Sequence, residues 1–123
     1  MKAIKKKTVV LGASPNPSRY SNMAVNKLAS SGHPVIAIGN REGLIGLVAI
    51  QKGKPLVEEV DTVTLYLNPQ NQKPYYDYIL SLHPKRIIYN PGAENPELVK
   101  LSVERNIENL EACTLVLLST GQY

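Results

Sequence analysis

"VVLGASPNPSRYSNMA", residues 9–24, carries an apolar run into a glycine, a loop of turn formers, and then the start of a helical pattern. That is the strand–loop–helix order of a nucleotide-binding α/β unit, where the free N–H groups of the helix start favour a phosphate. A dinucleotide site wants further glycines at the third and sixth places of the motif, so that backbone approaches the pyrophosphate and helix packs on strand. Ser14 and Pro17 stand there instead. Gly12 allows the tight turn, Ser14, Asn16 and Ser18 add short polar donors, and Arg19 adds a guanidinium fork suited to a phosphate. The helix is predicted to start near Tyr20 or Ser21.

Further along, three more apolar runs have the character of parallel strands buried on both faces: "PVIAIG" (34–39), "TVTLYL" (62–67) and the shorter "RIIYN" (86–90). Helical patterns separate them. Ala24, Val25, Leu28 and Ala29 recur at helical spacing and are expected to face the sheet, as are Tyr75, Tyr78, Ile79 and Leu82 in the next helix. "ENPELVKLSVERN" (94–106) predicts a third helix, capped by Asn95 with Pro96 at its first position. "GLIGLVAIQKGKPLVEEVD" (43–61) predicts a short edge strand near 47–50 and a turn, and the C-terminal stretch a strand near 109–113 followed by a short helix. "SSGHPVIAIGN" and "LSLHPKRIIYNPG" echo each other as two helix-to-strand turns. The order predicts an α/β fold: a Rossmann-like doubly wound parallel sheet forming a single three-layer α/β/α domain over 1–123.

The 123 residues suffice for one core, and 43% hydrophobic with 20% charged residues is a soluble globular balance. One cysteine excludes an internal disulfide and fits a reducing compartment, so the cytoplasm is expected. No signal peptide pattern is read at the start, and no apolar run approaches the roughly 20 residues of a membrane span. The net charge of +4 owes much to Lys2, Lys5, Lys6 and Lys7. They are read as a solvated approach to the first strand. No aromatic residues interleave with them to stack bases, so no nucleic-acid partner is expected.

Ligands of such sheets bind beyond the carboxyl ends of the strands, where strand order reverses. Those ends are "GASPNPSR" (12–19), "GNRE" (39–42), "NPQN" (68–71) and "NPGAEN" (90–95), all rich in turn formers. The lysine run lies at the opposite edge, about 20 Å away by strand length. An acidic residue for ribose hydroxyls is missing after the second strand, where Arg41 follows Asn40. An arginine there suits a phosphate on the ribose, as in NADP or coenzyme A.

"VVLGASPNPSRYS", "PVIAIGN", "TVTLYLNP" and "IIYNPGAEN" together resemble the small stand-alone CoA-binding domain proteins of bacteria, which are similar to the N-terminal CoA-binding domain of the succinyl-CoA synthetase alpha subunit. The resemblance covers about residues 7 to 118. It implies a Rossmann-like domain that holds CoA or an acyl-CoA across its strand ends. Gly12, Ala13, Ser14, Asn16, Ser18 and Arg19 would face the phosphates. Ile38, Gly39, Asn40 and Arg41 would flank the adenosine end. Leu67, Asn68 and Pro69, with Asn90, Pro91 and Gly92, would line the remainder. The chain departs from relatives at Arg41, Asn68 and Asn90, where proline, arginine and glutamine are common. The synthetase's phosphorylated histidine belongs to a second domain not found here, so ligase activity is not implied.

Few residues suggest catalysis. His33 and His83 each precede a proline at a helix end, where an imidazole suits the last carbonyls. Neither has a sequence neighbour that makes a nucleophile pair, and no cluster has metal-ligand spacing. Cys113 falls on the rim side and is read as a buried thiol. Tyr75, Tyr76 and Tyr78 are read as packing. "TLVLL" (114–118) suits either core or a homodimer surface. Non-catalytic binding of a small nucleotide ligand is therefore expected, the alternatives being an NAD(P)-dependent oxidoreductase and an interaction protein with a vestigial cleft.

Overall fold

Thr8, Val9, Val10 and Leu11 form β1, and all four are buried, because layers cover both faces of this strand. The computed structural model describes residues 4–123, so Lys2 of the lysine run lies outside the described residues. After β1 come α1 (Tyr20–Ser30), β2 (Val35–Ile38), β3 (Gly43–Ile45), β4 (Val48–Gln51) and β5 (Thr62–Leu65). The second half holds α2 (Pro69–Gln72), α3 (Tyr76–Ser81), β6 (Arg86–Tyr89), α4 (Pro96–Val103), β7 (Glu108–Glu111) and α5 (Thr114–Ser119). One seven-stranded sheet results, in the order β3-β4-β2-β1-β5-β6-β7. Every pairing is parallel except β3 with β4. Strands after β1 are laid outward to one side as far as β3. From β5 onward they are laid to the other side, so the order reverses between β1 and β5.

Alternate residues of the central strands feed two apolar layers. Val9, Leu11, Val63, Leu65, Ile87 and Tyr89 face one side, with Ile79 and Leu80 of α3 and Leu98 of α4. Val10 and Ala37 face the other, with Val25 and Leu28 of α1 and Leu118 of α5. The apolar C-terminal stretch is thus core in part. This is the Rossmann-like three-layer arrangement that the alternation of runs predicts. Among the described residues no helix is long and apolar enough to cross a membrane.

Some local expectations are corrected. Residues 47–50 are not the edge: β4 pairs with β2, and β3 folds back on it as an antiparallel hairpin. The hairpin turns at Gly46, φ 58°, the first of two loop residues, where a tight turn of this hand wants glycine. Ala29 is exposed, because Leu28 takes the next place on the buried stripe and its neighbour stands about 100° further round the helix. The second helix is broken. Pro69 opens α2, and the turn Lys73–Tyr75, holding Pro74, is 3₁₀ before α3 begins. The third helix stops at Val103, short of 106, and Asn106 then takes a left-handed φ of 61°. Asn95 caps α4 as expected, accepting from the Glu97 and Leu98 N–H groups at 3.1 and 3.2 Å. No helix links β4 to β5. Residues 52–61 cross the sheet face as irregular chain, anchored by Val57 and Val60.

The two His-Pro turns match in role but not residue for residue. After α1, Gly32 takes φ 87° and the His33 N–H reaches the Leu28 carbonyl at 3.0 Å; after α3, His83 itself takes the positive φ of 47°.

Candidate functional site

Two glycines bring the strand ends together where the strand order reverses. Gly12 turns the chain off β1 with φ 99°, and a Cβ there would stand 3.0 Å from the Tyr66 carbonyl carbon and 3.2 Å from the Leu67 side chain. Gly39 ends β2 so close to the first loop that a Cβ would run into the Ala13 carbonyl oxygen. The Gly12 and Ala13 N–H groups both donate to the Ile38 carbonyl at 2.9 Å. Any larger residue at either glycine would push the first loop away from its neighbours.

Between these ends lies a cleft of about 490 Å³. Gly12, Ala13, Ser14 and Arg19 line it from the first loop, and Ile38, Gly39, Asn40 and Arg41 from the end of β2. Leu67 and Pro91 line it from the far side. Asn68 and Gly92 line an adjoining hollow of about 330 Å³ that shares Tyr66, Leu67 and Pro91 with the cleft. The structure thus gathers most of the sequence-selected residues along one continuous edge.

Four lie differently. Asn16 and Ser18 line neither hollow, because they hold the loop: the Asn16 Oδ1 accepts from the Ser18 N–H at 3.0 Å and from its hydroxyl at 2.8 Å. Pro69 is the first residue of α2, which Asn68 caps by accepting the Asn71 N–H at 2.9 Å. Asn90 is interior. Its amide donates to Thr64 Oγ1 at 2.6 Å and the Leu65 carbonyl at 2.9 Å, and its Oδ1 accepts the Thr114 N–H at 2.8 Å. Both amide hydrogens are thus used inside the protein, and the side chain joins β5, β6 and the start of α5.

Other residues of the site were not picked out from the sequence. Pro15, Tyr20, Ser21, Tyr66 and Tyr75 also line the cleft. Pro15 packs on Gly43 of β3, where a Cβ would stand 3.0 Å from it. The buried Asn22 amide donates to the Ser14 carbonyl at 2.9 Å and ties the loop to α1. The Tyr66 hydroxyl is buried and has no hydrogen-bond partner among the described residues; burial pushes its pKa well above the ordinary tyrosine value, so it stays protonated. Tyr75 is half-buried, in the short 3₁₀ turn.

The donor set suits a phosphorylated ligand. Arg19 and Arg41 are exposed at the cleft, and neither guanidinium has a partner among the described residues. α1 begins at Tyr20 without a side-chain cap; the Asn22 N–H donates to the Arg19 carbonyl at 3.1 Å, and the Tyr20 and Ser21 N–H groups have no partner among the described residues.

The chain matches the CoA binding domain family over residues 6–119. It belongs to that family. Among solved structures, this CoA binding domain is 49% identical to a crystal structure of an uncharacterized protein, with 98% of this chain and 100% of that one covered and a TM-score of 0.95. A hypothetical protein from Pyrococcus horikoshii OT3 is 21% identical over 90% of this chain and 80% of that one, with a TM-score of 0.80. The acetyl-coenzyme A synthetase 1 of Ca. Korarchaeum cryptofilum, solved with phosphate and ADP, is 20% identical. It covers 88% of this chain and matches over 26% of its own, with a TM-score of 0.69. The last two likenesses show the fold alone. A comparison with curated proteins found no match.

Both histidines of the CoA binding domain sit at the opposite edge of the sheet. His33 does not bond helix carbonyls through its ring as its position suggested; its Nδ1 accepts the Lys6 N–H at 2.9 Å, and its ring lies 4.9 Å from that of Tyr123. His83 borders a hollow of about 700 Å³ with Lys5, Lys7 and Lys85, before the starts of the strands. Cys113 is half-buried just before α5, with a free thiol. Among the described residues no group of three or more His, Cys, Asp or Glu side chains could hold a metal ion.

Proposed function

We propose that the domain binds coenzyme A, free or acylated, at the C-terminal edge of its sheet, and does no chemistry of its own. The observation that carries the reading is the cleft at the reversal of strand order, walled by Gly12 and Gly39 and flanked by Arg19 and Arg41. Membership of the CoA binding domain family supports the ligand class.

In this reading the start of α1, Ser14 and Arg19 hold the pyrophosphate through backbone N–H groups, a hydroxyl and a guanidinium. Arg41 meets the phosphate on the ribose. Ile38 and Leu67 supply apolar flanks, and the pantetheine arm runs over Leu67 and Pro91 into the adjoining hollow. Bound CoA brings a thiol able to carry an acyl group. The chain's part is to hold and present it. A dinucleotide-dependent oxidoreductase is the weaker reading, since Ser14 and Pro17 occupy the places of two glycines that a nicotinamide dinucleotide uses.

Native mass spectrometry of the protein as purified tests this. A co-purified adduct with the mass of CoA or an acyl-CoA supports it, and a nicotinamide dinucleotide adduct contradicts it.

A further inference from the structure

Three tyrosines line the cleft, and they are not equivalent. Tyr66 has its hydroxyl buried in the protein interior, and Tyr20 is 71% exposed at the start of α1. Tyr75 alone is both half-buried and braced. Its ring packs edge-on against Tyr78, with centroids 6.4 Å apart and planes at 62°. The Tyr78 hydroxyl is in turn fixed on the Pro55 carbonyl at 2.5 Å, and the Lys54 ammonium stands 5.7 Å from the Tyr75 ring centroid. The 3₁₀ turn that breaks the second helix delivers Tyr75 to this place from one face of the sheet, while α1 brings Tyr20 from the other.

We infer that Tyr75 is the stacking wall for the adenine ring, a residue that sets the site's preference for a base-bearing ligand. The inference rests on the CoA-binding reading above. A flat heteroaromatic ring gains from an aromatic surface already held in place, because no side-chain freedom is lost when it docks. Tyr20 would have to be ordered on binding. The amide-rich arm of the ligand has different needs, and the structure separates the two chemistries. Asn68 and Asn71 belong to the smaller hollow, whereas Tyr75 shares the larger cleft with the end of β2 and the arginines.

The test titrates wild type, Tyr75→Ala, Tyr75→Leu and Tyr75→Phe calorimetrically with three ligands: CoA, its nucleotide half (adenosine bisphosphate) and its other half (phosphopantetheine). Tyr75→Ala and Tyr75→Leu are expected to weaken CoA and the nucleotide half by the same factor, roughly five- to hundredfold, with phosphopantetheine unchanged. Tyr75→Phe keeps the ring and should bind like wild type. Tyr75→Leu keeps apolar volume, so its loss is one of stacking and not of packing, and circular dichroism verifies that each variant is folded. Wild-type binding of the nucleotide half by Tyr75→Leu, or a loss confined to phosphopantetheine, overturns the inference while leaving CoA binding intact. Failure of the wild type to bind CoA overturns the underlying reading, and the inference with it.

Discussion

Asn90 holds the start of α5 in place: its Oδ1 accepts the backbone N–H of Thr114 at 2.8 Å. The two residues are 24 positions apart, and both are buried. The Thr114 hydroxyl meets Thr64 Oγ1 at 2.7 Å, and the Asn90 amide reaches that same oxygen at 2.6 Å, so a strand end, its neighbour and a helix start share one closed network.

Asn90→Ala leaves the Thr114 N–H and the Leu65 carbonyl without these partners in the interior. The expected cost is roughly 2–4 kcal/mol in denaturant unfolding. CoA affinity measured below the lowered transition should stay within about twofold of wild type, since a loss of that size is under half a kcal/mol. A variant as stable as wild type but weak in binding would return Asn90 to the ligand.

Gly39 is required for space, and not for its own backbone angle, which is not among the positive φ values. Gly53 is the opposite case, with φ 80° and nothing within 4 Å of an added Cβ. Gly39→Ala must displace the first loop or β2, and is expected to lose about 2 kcal/mol or more together with ligand binding. Gly53→Ala should lose only about 1 kcal/mol, and keep binding. Thermal melts and titrations of the two variants side by side decide it; equal behaviour contradicts the close approach of Gly39 to Ala13.

How much of this was readable in the sequence depends on burial. β1, β2, β5 and β6 lie inside the sheet, so their apolar runs announce them. The β3–β4 hairpin does not: Leu44 and Leu47 are exposed, and the apolar letters of residues 43–50 do not mark which are inward. The helical spacing of Tyr75, Tyr78, Ile79 and Leu82 does not report that Pro69 opens a separate turn, α2, or that Pro74 sits in a 3₁₀ turn that takes in Tyr75. At the site, the loops declared themselves through their turn formers. Which of their side chains look outward depends on hydrogen bonds between distant segments, as between Asn90 and Thr64, and no local pattern reports those. Tyr75 packs against the core as its spacing predicts, and the 3₁₀ turn also brings it to the cleft, which no helical spacing reports.

His33 makes the far edge sensitive to acid. Burial, then the charges of Lys5, Lys6 and Arg86, lower its pKa from 6.5, against a smaller opposite effect of Asp61. Its Nδ1 must also stay unprotonated to accept the Lys6 N–H. The unfolded chain therefore binds this proton more readily than the folded one. Stability from this group is full above pH 6.5 and declines as pH falls toward the lowered folded value. His33→Asn should flatten that part of the profile. Melting curves between about pH 5 and 7.5 that remain parallel for wild type and variant would remove His33 from the account.

Arg19 and Arg41 divide the ligand's charge between them in the proposed mode. Arg19→Ala should weaken CoA and dephospho-CoA alike, by roughly ten- to hundredfold. Arg41→Ala should weaken CoA by a similar factor and leave dephospho-CoA nearly unchanged. Calorimetry with both ligands separates the roles: equal losses in Arg41→Ala would exclude contact with the ribose phosphate, and no loss in Arg19→Ala would leave that arginine a solvated loop charge.

The central claim, that a cleft built around Gly12 and Gly39 without the other dinucleotide glycines selects CoA, is tested most directly by thermal denaturation of the wild-type protein with equal concentrations of CoA, NAD and NADP. At 100 times the dissociation constant a ligand stabilises the fold by about 2.7 kcal/mol, a rise of several degrees. The account predicts that rise with CoA and little or none with either dinucleotide. A larger rise with NAD or NADP than with CoA would contradict it.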